Sequence, residues 1–412
     1  MPPLPGEKEK QVTQEDQTVK PMPRSTYLFF LLLSFLIACQ GQEDPVTPTA
    51  PSVEKALSAP LPDLIFTNLS QISASKESPV IMERLRDLID ASPAKADIHL
   101  NIFLFSHQTI IDALQRASDR GVKLHLMLDL SRDESLVENP MTISKLKRFL
   151  KPTSEIVTIT SDASSSSINH NKFALFSNIT TATGPKEKVV FQTSHNFTVA
   201  DSKKIQDAVM LANAGLYGAY LTFWQDMKDK AVSGMKDFYY REYHDPAVGI
   251  SALFFPKRRN GTSYGADTIL EILDGLSEPA TARIQIGMSD WTASRTAIIT
   301  KLEQLREQGA TIEVIAKDKV DPEVLDGLAR LKAKGAYVKV YDMSQINNHA
   351  KFMLIRGKWK GENVNLMVTG SHNFTGNALR NNNETLLLLK NHTALFDTYT
   401  AFYQEMKKLP GQ

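Results

Sequence analysis

The pentapeptide Ser-His-Asn-Phe-Thr occurs twice, at 194–198 and 371–375, and each copy trails a His-x-Lys triplet by about two dozen residues. The triplets are His170-Asn171-Lys172 and His349-Ala350-Lys351, 179 residues apart, while Ser194 to Ser371 and Asp207 to Glu384 are both steps of 177. Landmarks held in step over so long a stretch indicate that one structural unit has been duplicated within the chain. The fold must therefore be one that two copies of the same unit can build together.

Hydrophobic patterning says what the unit contains. In the first half Ile98–Phe105 and Val122–Leu128 read as strands around a helix at Gln108–Ala117, with Arg120-Gly121 as the stop. The second half repeats the order: strand Arg283–Met288, helix Ala297–Gln308, stop Gly309, strand Thr311–Ile315. An aromatic-bearing helix closes each half, at Tyr217–Met227 and Ala394–Met406. Alternating strands and helices define an α/β protein. The repeats are expected at 63–237 and 246–412, with the boundary around Phe238 to Asp245.

With 412 residues and 42% hydrophobic content the chain can bury a large core, and a net charge of +1 gives no global basic excess of the kind that marks a nucleic-acid binder. Its one cysteine, Cys39, excludes an intrachain disulfide and a cysteine-based metal cluster. Arg24 and the apolar run Tyr27–Ala38 before it have the size of a signal-peptide core, too short for a stable membrane span, and Leu36-Ile37-Ala38-Cys39 resembles a bacterial lipobox. Residues 1–38 are therefore expected to be a signal region, with Met22 as a candidate true start, and Cys39 a lipidation site. The resemblance implies an exported lipoprotein, with Gln40 after the Cys favouring the outer membrane. Residues 39–62, rich in Pro, Ser, Thr and Ala, read as a flexible tether.

On a strand, residues i and i+2 share a face, so His170 with Lys172, His349 with Lys351, Ser194 with Asn196 and Ser371 with Asn373 would each project together. An imidazole beside an ammonium suits a phosphate. Asp207 and Glu384, on further strands, are candidates to accept from an imidazole nitrogen and raise the basicity of the other. His99, His125, His195 and His372 read as packing positions, Phe105 and Trp291 as core or rim, and Lys257-Arg258-Arg259 as a solvated loop.

These segments resemble the H-x-K, G-S-x-N and N-x-E motifs of the phospholipase D superfamily, from about Leu64 to Lys408. The resemblance implies two repeats, each a mixed sheet flanked by helices, with the active site at their pseudo-twofold interface. It also implies a two-step phosphoryl transfer needing no metal or other cofactor and no obligatory oligomer. One His attacks phosphorus and the other protonates the leaving oxygen. Resemblance favours His170 as nucleophile and His349 as acid, with the reverse assignment open. Lys172, Lys351, Asn196 and Asn373 would stabilise the charged phosphorus centre. The sequence departs from the family where H-x-K-x4-D has Ser177 and Arg356 in place of Asp, and where Thr193 replaces Gly. Phospholipid is the expected substrate, because the anchor holds the chain at a membrane surface. The alternatives are an exported nuclease using the same site and a non-catalytic phosphate- or lipid-binding protein.

Overall fold

The computed structural model describes residues 54–161, 167–230, 232–233 and 240–411, so Cys39 and the apolar run before it lie outside the described residues. The first half contains strands β1 (Asp63–Phe66), β2 (Asp97–Ile102), β3 (Lys123–Asp129), β4 (Glu155–Ser161), β5 (Lys172–Thr181), β6 (Gly184–Thr193), β7 (Asp207–Ala212) and β8 (Val232–Ser233). The second contains β9 (Arg241–Asp245), β10 (Ile250–Phe255), the short β11 (Arg258–Arg259) and β12 (Thr262–Ser263), then β13 (Arg283–Met288), β14 (Thr311–Lys317) and β15 (Tyr337–Tyr341). It ends with β16 (Lys351–Trp359), β17 (Glu362–Gly370) and β18 (Glu384–Lys390).

Two main sheets result, ordered β1-β7-β6-β5-β2-β3-β4-β8 and β15-β14-β13-β16-β17-β18-β10-β9. Read from opposite ends they match strand for strand, β1 with β10 through to β4 with β15. Both are mixed: β2, β3 and β4 run parallel, while β5 pairs antiparallel with β2 and with β6. The parallel strands need crossovers, and the helices Gln108–Asp119 and Ala297–Glu307 supply equivalent ones. Their buried residues fall at helical spacing, Ile110, Ile111 and Leu114 in one and Ile298, Ile299 and Leu302 in the other.

One face of each sheet packs on its own helices, forming separate apolar clusters. The opposite faces share a third cluster, into which the helices Ala214–Lys230 and Thr393–Lys408 are set. Phe66 of β1 stacks on Phe402 of the C-terminal helix at 3.8 Å, and Tyr220 meets Phe254 of β10 edge-on at 5.1 Å. The aromatic helices thus touch both repeats and pack them into one compact unit.

Two boundaries differ from the sequence expectation. Residues 54–62 do not continue a tether: Leu57 is buried, its N–H donates to Thr180 O at 2.9 Å, and its carbonyl accepts from Ala182. One apolar residue in a Pro- and Ser-rich stretch is too little pattern to read. The second sheet also begins earlier than 246, because Arg241–Asp245 forms its edge strand β9. Tyr243 is the one apolar residue of this edge strand and packs on the shared core, so the segment shows no apolar alternation to read. Among the described residues no helix is long and apolar enough to cross a membrane.

Candidate active site

Strands β5 and β16 begin at Lys172 and Lys351, so each His-x-Lys triplet sits at the lip of its sheet. The opposite repeat clamps it there. His170 N–H donates to Asn383 O at 2.9 Å and Asn383 N–H to Ile168 O at 3.0 Å, while His349 N–H donates to Ile205 O and Ile205 N–H to Asn347 O, both at 2.9 Å. Each imidazole therefore faces a segment that its own repeat does not supply.

His170 Nδ1 lies 3.0 and 2.9 Å from the two oxygens of Glu384, a fully buried carboxylate. Because a carboxylate only accepts, the ring carries its proton on Nδ1 and leaves the Nε2 lone pair free. His349 has a different partner. Its Nδ1 lies 3.1 Å from Gln206 Oε1 and 3.6 Å from Asp201 Oδ1. Gln206 Nε2 donates to Asp201 Oδ1 at 3.0 Å, which turns the amide oxygen toward the imidazole, and Ser194 Oγ donates to the same oxygen at 2.9 Å.

Asp207 does not reach an imidazole; its carboxylate accepts from Thr369 Oγ1 inside the shared core, where burial raises its pKa. The cause is a one-residue slip between the repeats. Ser194 N–H donates to Asp207 O and Ser194 Oγ accepts from Asp207 N–H, just as Ser371 does with Thr385. Asp207 is thus the counterpart of Thr385, and Gln206 that of Glu384. Matching acid to acid along the sequence selected the neighbour of the functional residue. Asp201 has no counterpart signal in the second half, and nothing in the sequence marked it.

Both lysines are buried, and each folds back so that Nζ donates to the carbonyl of its own His, at 2.8 Å for Lys172. Burial pushes Lys172 down to about 8, opposed by Glu384, and Lys351 down to about 7, opposed by Asp290 and reinforced by Lys172 and Lys317. His170 is lowered by burial against the pull of Glu384, and His349 falls well below its usual value through burial and the cations Lys351, Lys204, Lys172 and Lys317. Asn196 and Asn373 stand beside this cluster, Asn196 donating to Asp201 at 3.4 Å and Asn373 Oδ1 accepting from Asp290 N–H at 3.3 Å. A tetrahedral phosphoryl group suits these crowded ammonium groups, imidazoles and amides, because it brings negative charge and several acceptors at once.

The family described as cardiolipin synthase, PLD-like domain, matches residues 85–216 and 276–408, one match in each repeat and together more than half of the chain. The chain belongs to the phospholipase D-like family. The family acts on phosphodiesters. No curated protein matches. Among solved structures, the fold is similar to phosphatidylserine synthase of Haemophilus influenzae Rd KW20, with 11% identity, 86% of this chain and 88% of that one covered, and a TM-score of 0.59. It is also similar to polyphosphate kinase from Porphyromonas gingivalis, with 16% identity, 88% and 55% covered, and a TM-score of 0.51, so this chain spans about half of the kinase's length.

In this phospholipase D-like chain the two missing Asp positions lie far from the histidines, Ser177 being five residues beyond Lys172 or about 17 Å along a strand. Ser177 Oγ accepts from Asp97 N–H at 2.8 Å, tying β5 to the start of β2, and exposed Arg356 pairs with Asp397 at 2.9 Å. His195 and His372 turn away from their Ser-Asn neighbours. His195 Nε2 lies 3.3 Å from Ser202 Oγ, while His372 Nε2 accepts from Arg295 at 2.9 Å. Phe105 and Trp291 are buried edge-on against Phe197 and Phe374, fixing the loops that carry the two Asn residues. His99 and His125 stack on each other at 4.2 Å, away from the triplets. Lys257 is not solvated: it is buried over Tyr240 and paired with Glu271 at 2.6 Å. Among the described residues no group of three or more His, Cys, Asp or Glu side chains forms a metal-binding cluster.

Proposed function

We propose that this chain is a phospholipase D-type phosphodiesterase that hydrolyses phospholipids through a phosphohistidine on His170. The observation that carries the assignment is the inequality of the imidazole partners: His170 bonds a carboxylate directly at 2.9 Å, whereas His349 bonds an amide oxygen at 3.1 Å with the Asp201 carboxylate farther off at 3.6 Å. Glu384 stabilises the positive charge that His170 gains when Nε2 attacks phosphorus, forming a P–N bond as the P–O bond to the head group breaks. His349 works as the imidazolium: Nδ1–H stays bonded to Gln206 Oε1 while the Nε2 proton passes to the departing oxygen, which leaves the neutral Nδ1–H tautomer. Once neutral, it takes a proton from water, which attacks phosphorus, breaks the P–N bond and leaves phosphatidate. Lys172 and Lys351 hold the non-bridging oxygens. Export and acylation at Cys39 complete the reading, with the sequence motif as their support and the outer membrane as the proposed location.

The general acid and the buried lysines set the expected pH dependence. His349 must carry its second proton, and burial and the neighbouring cations hold it well below the usual imidazole value in the free enzyme, so kcat/KM falls as pH rises through that range and falls further from about pH 7 as Lys351 deprotonates. A bound phosphodiester anion raises both lysine values, so the decline in kcat begins at higher pH. Coincident limbs for kcat and kcat/KM would contradict this assignment.

The test is release of head group from mixed phospholipid vesicles by the full chain in excess chelator, beside a plasmid-cleavage assay. Head-group release with intact plasmid supports the proposal. Plasmid cleavage with intact lipid supports an exported nuclease built on the same site. No turnover by a folded protein supports a phosphate- or lipid-binding role.

A further inference from the structure

Where two repeats are otherwise matched, residues that break the match give the cleft a direction. Leu104 and Asp290 are counterparts, since Phe197 N–H donates to Leu104 O at 2.9 Å and Phe374 N–H to Asp290 O at 3.0 Å. Strand register extends the equivalence: Ile102 and Met288 pair with Lys172 and Lys351, so Phe103 corresponds to Ser289, and Asp129 to Lys317. The lip beside His170 is therefore Phe103 and Leu104, with Phe103 edge-on to the imidazole at 5.5 Å, while Asp129 lies fully buried beneath them and is engaged by Asn169 N–H, Ser131 and Ser135. The lip beside His349 is Ser289, Asp290 and Lys317.

Within that second lip the carboxylate is the group that faces outward. Asp290 has a 41% exposed side chain, whereas Lys317, which pairs with its Oδ1 at 2.7 Å, is only 7% exposed. Ser289 Oγ donates to Oδ2 at 2.9 Å. Each oxygen keeps a further lone pair for a ligand. Asp290 N–H donates to Asn373 Oδ1 at 3.3 Å, which puts the residue beside the phosphate-holding cluster, and its charge opposes the lowering of the Lys351 pKa. A ligand entering from solvent meets Asp290 before it meets Lys317, which favours a cationic donor over an anionic one.

We infer that Asp290, backed by Lys317 and Ser289, forms a leaving-group subsite that recognises an alcohol carrying an ammonium group, an amino-alcohol head group. The inference rests on the proposed roles of the histidines, because attack by His170 sends the leaving oxygen to the His349 side. The apolar lip at Phe103 and Leu104 then faces the part of the diester that stays on phosphorus.

The experiment compares kcat/KM of the full chain on short-chain phosphatidylethanolamine and phosphatidylglycerol, with bis(p-nitrophenyl) phosphate as a diester lacking an amine. The expected result is at least about a tenfold preference for ethanolamine, carried mainly in KM. It should fall about tenfold in Asp290→Asn and be partly kept in Asp290→Glu. Asp290→Asn/Lys317→Met removes the unpaired buried cation should the single variant misfold, and the same loss of preference is expected. A wild type indifferent to the amine, or a preference that survives both Asn variants, overturns the subsite. Hydrolysis of no diester at all would instead overturn the catalytic reading. Calorimetric binding then decides the subsite separately: O-phosphoethanolamine binding about tenfold tighter than glycerol 3-phosphate, with the gap closed by Asp290→Asn, supports it, and equal affinities overturn it.

Discussion

His170→Asn is expected to lower phosphodiester turnover by at least about 10⁴-fold, with the folded state retained, because it removes the nucleophile from a site whose remaining groups only bind and polarise. His349→Asn should behave differently. Loss of a general acid costs roughly 10²- to 10⁴-fold on an ester with a poor leaving group. A p-nitrophenyl ester leaves without protonation, so the first step survives while the second lacks its base. The expected outcome is a burst of p-nitrophenol and a phosphorylated protein, detected as a mass increase on a peptide containing His170. Phosphorylation on His349 instead, in the His170→Asn protein, would reverse the assignment of roles.

Glu384→Gln is expected to cost roughly 10²- to 10⁴-fold in kcat, nearly as much as losing an imidazole, although only one oxygen becomes nitrogen. The new amide can present N–H to Nδ1 of His170, which favours the tautomer with its proton on Nε2 and blocks attack. At Gln206 the same side-chain type is harmless, because Asp201 holds its nitrogen and aims its oxygen at His349. Asp207→Asn is the matched comparison. Its carboxylate accepts from Thr369 in the shared core and touches no imidazole, so turnover should stay within a few-fold of wild type. A loss as large as that of Glu384→Gln would show that the sequence-based pairing of Asp207 with Glu384 was functionally right. Steady-state kinetics with circular dichroism to confirm folding separates the outcomes.

Much of this molecule was readable without coordinates, and for definite reasons. Lys172 and Lys351 open strands whose following residues, Phe173–Phe176 and Phe352–Ile355, are apolar on both faces, which marks buried strands. The helices Gln108–Asp119 and Ala297–Glu307 carry apolar residues at helical spacing and end beside Gly121 and Gly309, both at positive φ. Such signals are local, so a single sequence carries them. Gln206, Asp201, Asp290 and Lys317 were not readable in this way. Gln206 was hidden by the slip that puts Asp207 in step with Glu384, and Asp201 by having no repeated partner. Asp290 and Lys317 differ from their counterparts Leu104 and Asp129, and searching for repeated landmarks discards differences.

The sequence by itself determined that two copies of an α/β unit exist, which strands carry the His-x-Lys and Ser-x-Asn segments, and therefore which atoms are available for chemistry. Periodicity and duplication are properties of the chain as written, and short-range sterics turn them into strands and helices. Only the tertiary structure decided which carboxylate meets which imidazole, because those contacts cross from one repeat to the other over 214 residues for Glu384 to His170 and 143 for Gln206 to His349. No local pattern encodes a contact of that separation. It is held by the backbone bridges between the repeats, Asn169 with Asn383 and Ile205 with Asn348, beside the core that the aromatic helices Ala214–Lys230 and Thr393–Lys408 share with both sheets.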